Sequence, residues 1–505
     1  MFRRTALALA LFTNLAFAHA QLPPALAQAL QQNGIAQDEI GVLVLRGDAT
    51  LLEHRSTLPM QPASTMKLVT TLVGLERLGP AFRGRTELRT SGQVEDGVLR
   101  GSLYLKGGAD ADLSGEHIAD MLRALRYEGI TRIEGDLVLD RELFQPARLD
   151  VGLPPFDESP EAYYNVIPDA LLVNKNMLQL DMRSTASRLQ LRMHPELERV
   201  SVTSEMMLVD ADCAAWENGW QQPDVRREPD GRIKVVLRGT FPKNCNRSYG
   251  VNVLDRDDYV GRLVRQTWSD AGGVLSGRTI TGSTPLDARV LAAHVSRPLP
   301  ELVRDINKPS DNALARTLFL SLGSLHADPV AGSLALPAPV ATESTLARAD
   351  AAVRGWLREQ QIDDTGFVID NGSGLSRIER ISALQMGHLL QAGLRSPWAP
   401  EFQASLPIGA LDGTLRRRLR DTPAAGRARL KTGTLRNVTA LAGYVPDANG
   451  ELCVFVAMVN SEQAGNGHGR AVLDALVDWV ARSGAPAAPA AAPPAVQAAT
   501  ALATH

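Results

Sequence analysis

Residues 64–75 read Ser64-Thr65-Met66-Lys67-Leu68-Val69-Thr70-Thr71-Leu72-Val73-Gly74-Leu75, and the apolar spacing predicts a helix that Ser64 opens. Positions three apart on a helix share a face, so the Lys67 amine can reach the Ser64 hydroxyl. A serine hydroxyl is a poor nucleophile until a neighbouring base takes its proton. Lysine can be that base only if burial and a second cation lower its pKa. At the start of a helix, Ser64 also lies beside unpaired backbone N–H groups that can steady an oxyanion.

Two further stretches could complete such a site. Ser310-Asp311-Asn312 follows far downstream, and Lys431-Thr432-Gly433 comes near the end; the chain has one SxxK and one KTG. Lys431 is expected to be the second cation that depresses Lys67, and the N–H of Thr434 a second oxyanion donor. Each piece alone has a plainer reading: Ser64 or Ser310 as a helix cap, Lys431 as an edge-strand solubility residue. Together they draw two of only seven lysines, against 46 arginines, in the order and local context this chemistry needs. Zincin spacing (HExxH) and a Gly-x-Ser-x-Gly elbow are both missing.

Outward from residue 64, Pro24 to Gln32 predicts a helix, and residues 40–46 and 50–53 predict two strands around a Gly47-Asp48 turn. From 86 to 289 the texture is short β-rich segments such as GVLRGSLYLKGG, GITRIEGDLVLD, SRLQLRMH and GRIKVVLRGT. Few helices are expected there, the clearest at Gly115–Tyr127 and Asp257–Ala271. Helical sequence returns from Leu299 to Leu322 and from Leu346 to Gln360. RARLKTGTL, VTALAGYV and LCVFVAMVN then give three strands, before a helix from Arg470 to Arg482. The expected fold class is α+β: a five-stranded antiparallel sheet flanked by helices, with a helical lobe beside it and a large mainly-β insertion.

The 505 residues carry 53 basic and 56 acidic side chains, a net charge of −3. This even balance gives no sign of a nucleic-acid partner. Residues 1–20, with Arg3 and Arg4, an apolar run and Ala18-His19-Ala20, read as a secretory signal peptide. Residues 485–505 read as a disordered Pro/Ala tail. In an oxidising compartment Cys213 and Cys245 could pair, while Cys453 reads as a small apolar strand residue. With three cysteines and no CxxC, a zinc site is not expected, and the serine–lysine chemistry implies no metal or cofactor.

The three motifs are the combined signature of class A β-lactamases and penicillin-binding proteins. The sequence resembles the D-alanyl-D-alanine carboxypeptidase/endopeptidase family, the class C low-molecular-mass penicillin-binding proteins. The resemblance covers nearly all of the chain between leader and tail, through PASTMKLVTT, GSLYLKGGADADLS, GDLVLDRELF, PSDNALARTLF, DNGSGLSR, LPIGALDGTLRRRL and LKTGTLRNVTALAGYV. It implies a β-lactamase/transpeptidase-like catalytic domain from 21–85 and 290–484, with accessory domains inserted at 86–289. It also implies a periplasmic peptidase of peptidoglycan stem peptides, acylated by β-lactams, with peripheral membrane or cell-wall association left open. Ser64 would be the nucleophile, Lys67 its base and Ser310 a proton relay. Asn312 would hold a substrate amide, and Lys431, Thr432, Gly433 and Thr434 would take the terminal carboxylate and line the strand beside it. Asp370–Gly374 and Asp412–Thr414 would build supporting loops. Some relatives carry an aspartate near Asn174, facing the diaminopimelate end of the peptide. The rival readings are a β-lactamase, for which no ExxxN follows Ser310-Asp311-Asn312, and a non-catalytic peptidoglycan-binding protein, for which the motifs would be worn.

Overall fold

The computed structural model describes residues 22–337 and 343–484, so the expected leader and Pro/Ala tail lie outside the described residues. Its organising element is an antiparallel sheet of β1 (Ile40–Arg46), β2 (Ala49–His54), β3 (Arg429–Leu435), β4 (Val438–Pro446) and β5 (Leu452–Asn460), in the order β2-β1-β5-β4-β3. β4 and β5 are almost wholly buried, as their unbroken apolar runs require. Successive residues point to opposite faces of a strand, and here both faces are covered. Val42, Val44, Leu441 and Phe455 pack under α1 (Pro24–Gln32) and the C-terminal helix His468–Arg482, with Leu26, Leu473 and Val477. Leu43, Leu45, Ala442 and Val456 face the other way, into the helical lobe.

That lobe is built from α2 (Lys67–Leu78), α5 (Leu299–Asn307), α6 (Asn312–Leu322), α7 (Thr345–Glu359), α8 (Ala383–Arg395) and α9 (Ala399–Ser405). The inserted segment contributes α3 (Gly115–Tyr127) and α4 (Arg256–Asp270), and the C-terminal helix is α10. The mixture of an antiparallel sheet with segregated helices is the α+β class expected from sequence.

The segment between α2 and α5 leaves and returns side by side. Its first strand, Arg85–Thr90, pairs antiparallel with its last, Arg289–Val295, and Ser296 N–H donates to Gly84 O at 2.9 Å. Between them lie small sheets that share one hydrophobic cluster, including Leu88, Leu122, Leu180, Val235, Trp268 and Leu291. Cys213 and Cys245 form a disulfide, Cα–Cα 5.4 Å, and Cys453 is buried in β5.

Candidate active site

Ser64 lies at the opening of the helical stretch, as the periodicity suggests, but in a 3-10 turn, Ala63–Met66, that runs directly into α2 at Lys67. The tighter turn still serves the same end, because residues i and i+3 eclipse in it. Lys67 Nζ lies 3.0 Å from Ser64 Oγ. No side-chain cap bond is made at Ser64, so the plainer cap reading falls away.

Two glycines let other chain segments close on this turn. A β-carbon on Gly433 would stand 2.6 Å from Pro62 O and 3.1 Å from Ser64 N. One on Gly374, at φ +82°, would meet Ala63 O at 2.0 Å. β3 and the 370–374 loop therefore press on the Ser64 turn from two sides.

Lys67 is fully buried and has three oxygen partners: Ser64 Oγ, Asn312 Oδ1 at 2.6 Å and the Ser373 carbonyl at 2.5 Å. Burial lowers its pKa to about 7; Glu379 and Asp311 hold it up, and Arg316 adds to the lowering. Arg316 is thus a further cation acting on Lys67, beside the expected Lys431, whose repulsion with Lys67 is mutual. Arg316 lies one turn beyond Asn312 on α6, itself pushed down to about 10 by burial. Lys431 is equally buried, and burial first, then Lys67, takes its pKa well below the ordinary value.

Lys431 is therefore no edge-strand solubility residue: its Nζ donates to Ser310 Oγ at 2.8 Å. Nor is Ser310 a cap, since Asp311 caps α6 by accepting from Leu314 N–H, and Ser310 sits at φ +67° with its hydroxyl turned to Lys431. Asn312 donates through Nδ2 to the Tyr164 carbonyl at 2.8 Å, which ties the inserted segment to the site. Ser64, Ser310, Asn312 and Thr434 line one cavity of about 500 Å³, together with Asp157, Glu158, Tyr164 and Arg377. Asn174 is not part of it; its side chain binds Gly115 N and Tyr259 OH.

The two loops expected to be supports contact the motifs directly. Glu379, buried and with its pKa raised by that burial, accepts the N–H groups of Asp370, Asn371 and Gly372 and so holds the Ser373 carbonyl on Lys67. Asp412 accepts from Lys308 Nζ at 2.6 Å, and Thr432 Oγ1 donates to Thr414 Oγ1 at 2.8 Å, bridging the α5–α6 turn to β3. Sequence reasoning missed Arg316, Glu379, Tyr164 and the Ser373 carbonyl. Of these, only Arg316 left a readable signal, four residues after Asn312 on one helix face.

The chain matches the D-Ala-D-Ala carboxypeptidase 3 (S13) family over residues 22–483. It is 26% identical to D-alanyl-D-alanine carboxypeptidase DacB of Haemophilus influenzae over 423 residues, 82% of this chain and 84% of that protein. It is 29% identical over 419 residues to the D-alanyl-D-alanine carboxypeptidase of Actinomadura sp. (strain R39), 80% of this chain and 74% of that one. The crystal structure of penicillin binding protein 4 from Haemophilus influenzae superposes with a TM-score of 0.72 at 24% identity, covering 90% of this chain and 97% of that one. That likeness gives the fold, a β-lactamase/transpeptidase-like architecture. From a family match that runs almost from one end of the described chain to the other, the protein is a member of the D-Ala-D-Ala carboxypeptidase 3 (S13) family.

Proposed function

We propose that the protein is a periplasmic serine DD-peptidase of peptidoglycan, with Ser64 as the acylated nucleophile. Its substrates are stem peptides ending in D-Ala-D-Ala and D-alanyl-diaminopimelate cross-bridges, so it acts as both carboxypeptidase and endopeptidase. The observation that carries this reading is the set of partners around Lys67 Nζ. Two are carbonyl oxygens, of Asn312 and Ser373, which can only accept; the third is a hydroxyl, which can donate. A neutral Lys67 satisfies the two carbonyls with its own N–H groups and is left with its lone pair toward Ser64. The residues around it thus orient the base as well as lower its pKa.

Ser64 Oγ attacks the carbonyl carbon of the penultimate D-alanine as Lys67 takes the hydroxyl proton. The Ser64 and Thr434 N–H groups receive the oxyanion. The C–N bond then breaks, and Ser310, bonded to Lys431, passes a proton to the departing amine. Water hydrolyses the ester and restores Ser64. Lys431, Thr432 and Thr434 hold the terminal carboxylate, with Gly433 keeping β3 close, and Asn312 holds a substrate amide. A β-lactam, whose strained amide mimics the scissile bond, acylates the same serine. No helix among the described residues is long and apolar enough to cross a membrane.

The test is incubation of purified protein with a pentapeptide muropeptide and with a cross-linked dimer. Release of D-alanine and of monomers, both abolished in Ser64→Ala, is the expected result. No Ser64-dependent cleavage of either substrate rejects the reading, and rapid nitrocefin turnover would move it to a β-lactamase.

A further inference from the structure

The inserted segment reaches the site at a second point besides Tyr164. Residues Val173–Asn176 form a tight turn in which Asn174, Lys175 and Asn176 are all left-handed, at φ 49°, 52° and 57°. Three successive non-glycine residues in that region are costly and persist only where the surroundings over-determine them. Here they do. Asn174 accepts from Gly115 N and donates to Tyr259 OH, each at 3.1 Å, and its own N–H donates to Leu113 O at 2.9 Å. Asn176 Nδ2 donates to Asn252 Oδ1 and to Leu254 O, at 2.7 and 2.8 Å. Elements on three sides thus lock the two asparagines. The side chain between them projects outward, and the Lys175 ammonium bonds Asp311 Oδ2.

Asp311 is the residue between Ser310 and Asn312, and its other carboxylate oxygen caps α6 through Leu314 N–H. We propose that Lys175 is a positioning residue of the active site: bound to Asp311, it fixes the loop that presents Ser310 and Asn312 and offsets the negative charge beside Lys67. The inference rests on the acyl-serine reading above and adds a residue of the inserted segment to that machinery. The charged groups acting on Lys67 are Glu379, Asp311 and Arg316, together with Lys431, whose repulsion with Lys67 is mutual. Burial is the main lowering influence; Asp311 opposes it, and an ammonium on Asp311 weakens that opposition. Lys175 and Asp311 also border a cavity of about 470 Å³ whose other charged walls are Asp110, Asp112, Asp169, Asp305 and Arg297.

The sign follows directly. Loss of the Lys175 charge leaves Asp311 unbalanced, so the Lys67 pKa rises and less neutral base is present at a given pH. The experiment is the pH dependence of acylation by nitrocefin or a fluorescent penicillin in Lys175→Gln, Lys175→Arg, Asp311→Asn and the double variant, with Tm measured for each. Asn also caps helices well, so Asp311→Asn keeps the α6 cap. In Lys175→Gln the acid limb should move up by about half a pH unit, a roughly threefold loss of rate below it. Lys175→Arg should restore the wild-type profile, and in the Asp311→Asn background Lys175→Gln should cost nothing more. An acid limb that stays in place in folded Lys175→Gln, or an equal loss with and without Asp311, overturns the proposal. If wild-type protein is not acylated at Ser64 at all, it is the acyl-serine reading that fails, and this inference falls with it.

Discussion

The α-carbon of Gly433 is packed so closely on the turn bearing Ser64 that a β-carbon there would lie 3.1 Å from the Ser64 nitrogen. The KTG glycine is therefore a spacing device, not a source of backbone freedom. It sets how near β3 comes to the residue proposed as nucleophile, and with it the separation of the two proposed oxyanion donors, on Ser64 and Thr434.

Gly433→Ala should push β3 off the Ser64 turn. Loss of one well-placed oxyanion donor costs about 3 kcal/mol of barrier, or about a hundredfold in acylation rate. Stopped-flow measurement with a fluorescent penicillin reads this, alongside a thermal melt to show that the fold survives. An unchanged rate would mean that the 433–64 contact does not govern the site.

Lys67, with a pKa lowered to about 7, must be neutral to accept the Ser64 proton. The second-order acylation constant should therefore fall as pH drops through about 7 and level off above it. Lys67→Arg cannot deprotonate at any working pH and should lose at least about a hundredfold at pH 8. A profile flat from pH 5 to pH 9, in roughly the range where histidine and a depressed lysine titrate, would remove Lys67 from the role of base.

Glu379 acts on the same profile in the opposite sense to Arg316. It is among the groups that raise the Lys67 pKa, so Glu379→Gln should move the acid limb to lower pH, by up to about one unit. The amide oxygen can still accept the three loop N–H groups. Glu379→Ala cannot, and stranding those donors should lower stability by about 2 kcal/mol or more, visible in urea unfolding. An acid limb that moves upward in Glu379→Gln would contradict the electrostatic assignment.

The disulfide closes a stretch with a sequence separation of 32 inside the inserted segment. Its removal by Cys213→Ser with Cys245→Ser should cost that segment about 3 to 4 kcal/mol through the entropy of the unfolded chain. Calorimetry should show the loss in the segment, while the penicillin acylation rate at 25 °C stays near that of the parent. A large fall in rate would tie the Cys213–Cys245 region to the site.

Much of this architecture could be read from sequence because it is written in periodicity. The uninterrupted apolar runs at 438–446 and 452–460 announce buried central strands, and the 64–75 spacing announces a helix. The motif side chains could be read because lysine is scarce. What escaped was either main chain or dependent on long-range packing. The Ser373 carbonyl has no residue type to betray it, Glu379 is a single acid between Ile378 and Arg380, and the turn at Ser64 is closely approached by two glycines far along the chain. Arg316 escaped for the same reason: sequence order cannot show that it turns inward to act on Lys67 beside Lys431.

The paired strands Arg85–Thr90 and Arg289–Val295 form a single doorway, where Gly84 and Ser296 are hydrogen-bond neighbours. The segment between them is also packed into the helical lobe through Phe144 and Ala170, and it touches Asn312 through Tyr164 and Asp311 through Lys175. A segment that enters and leaves at one edge can thus bear on the proposed active site through side contacts far from its own chain ends.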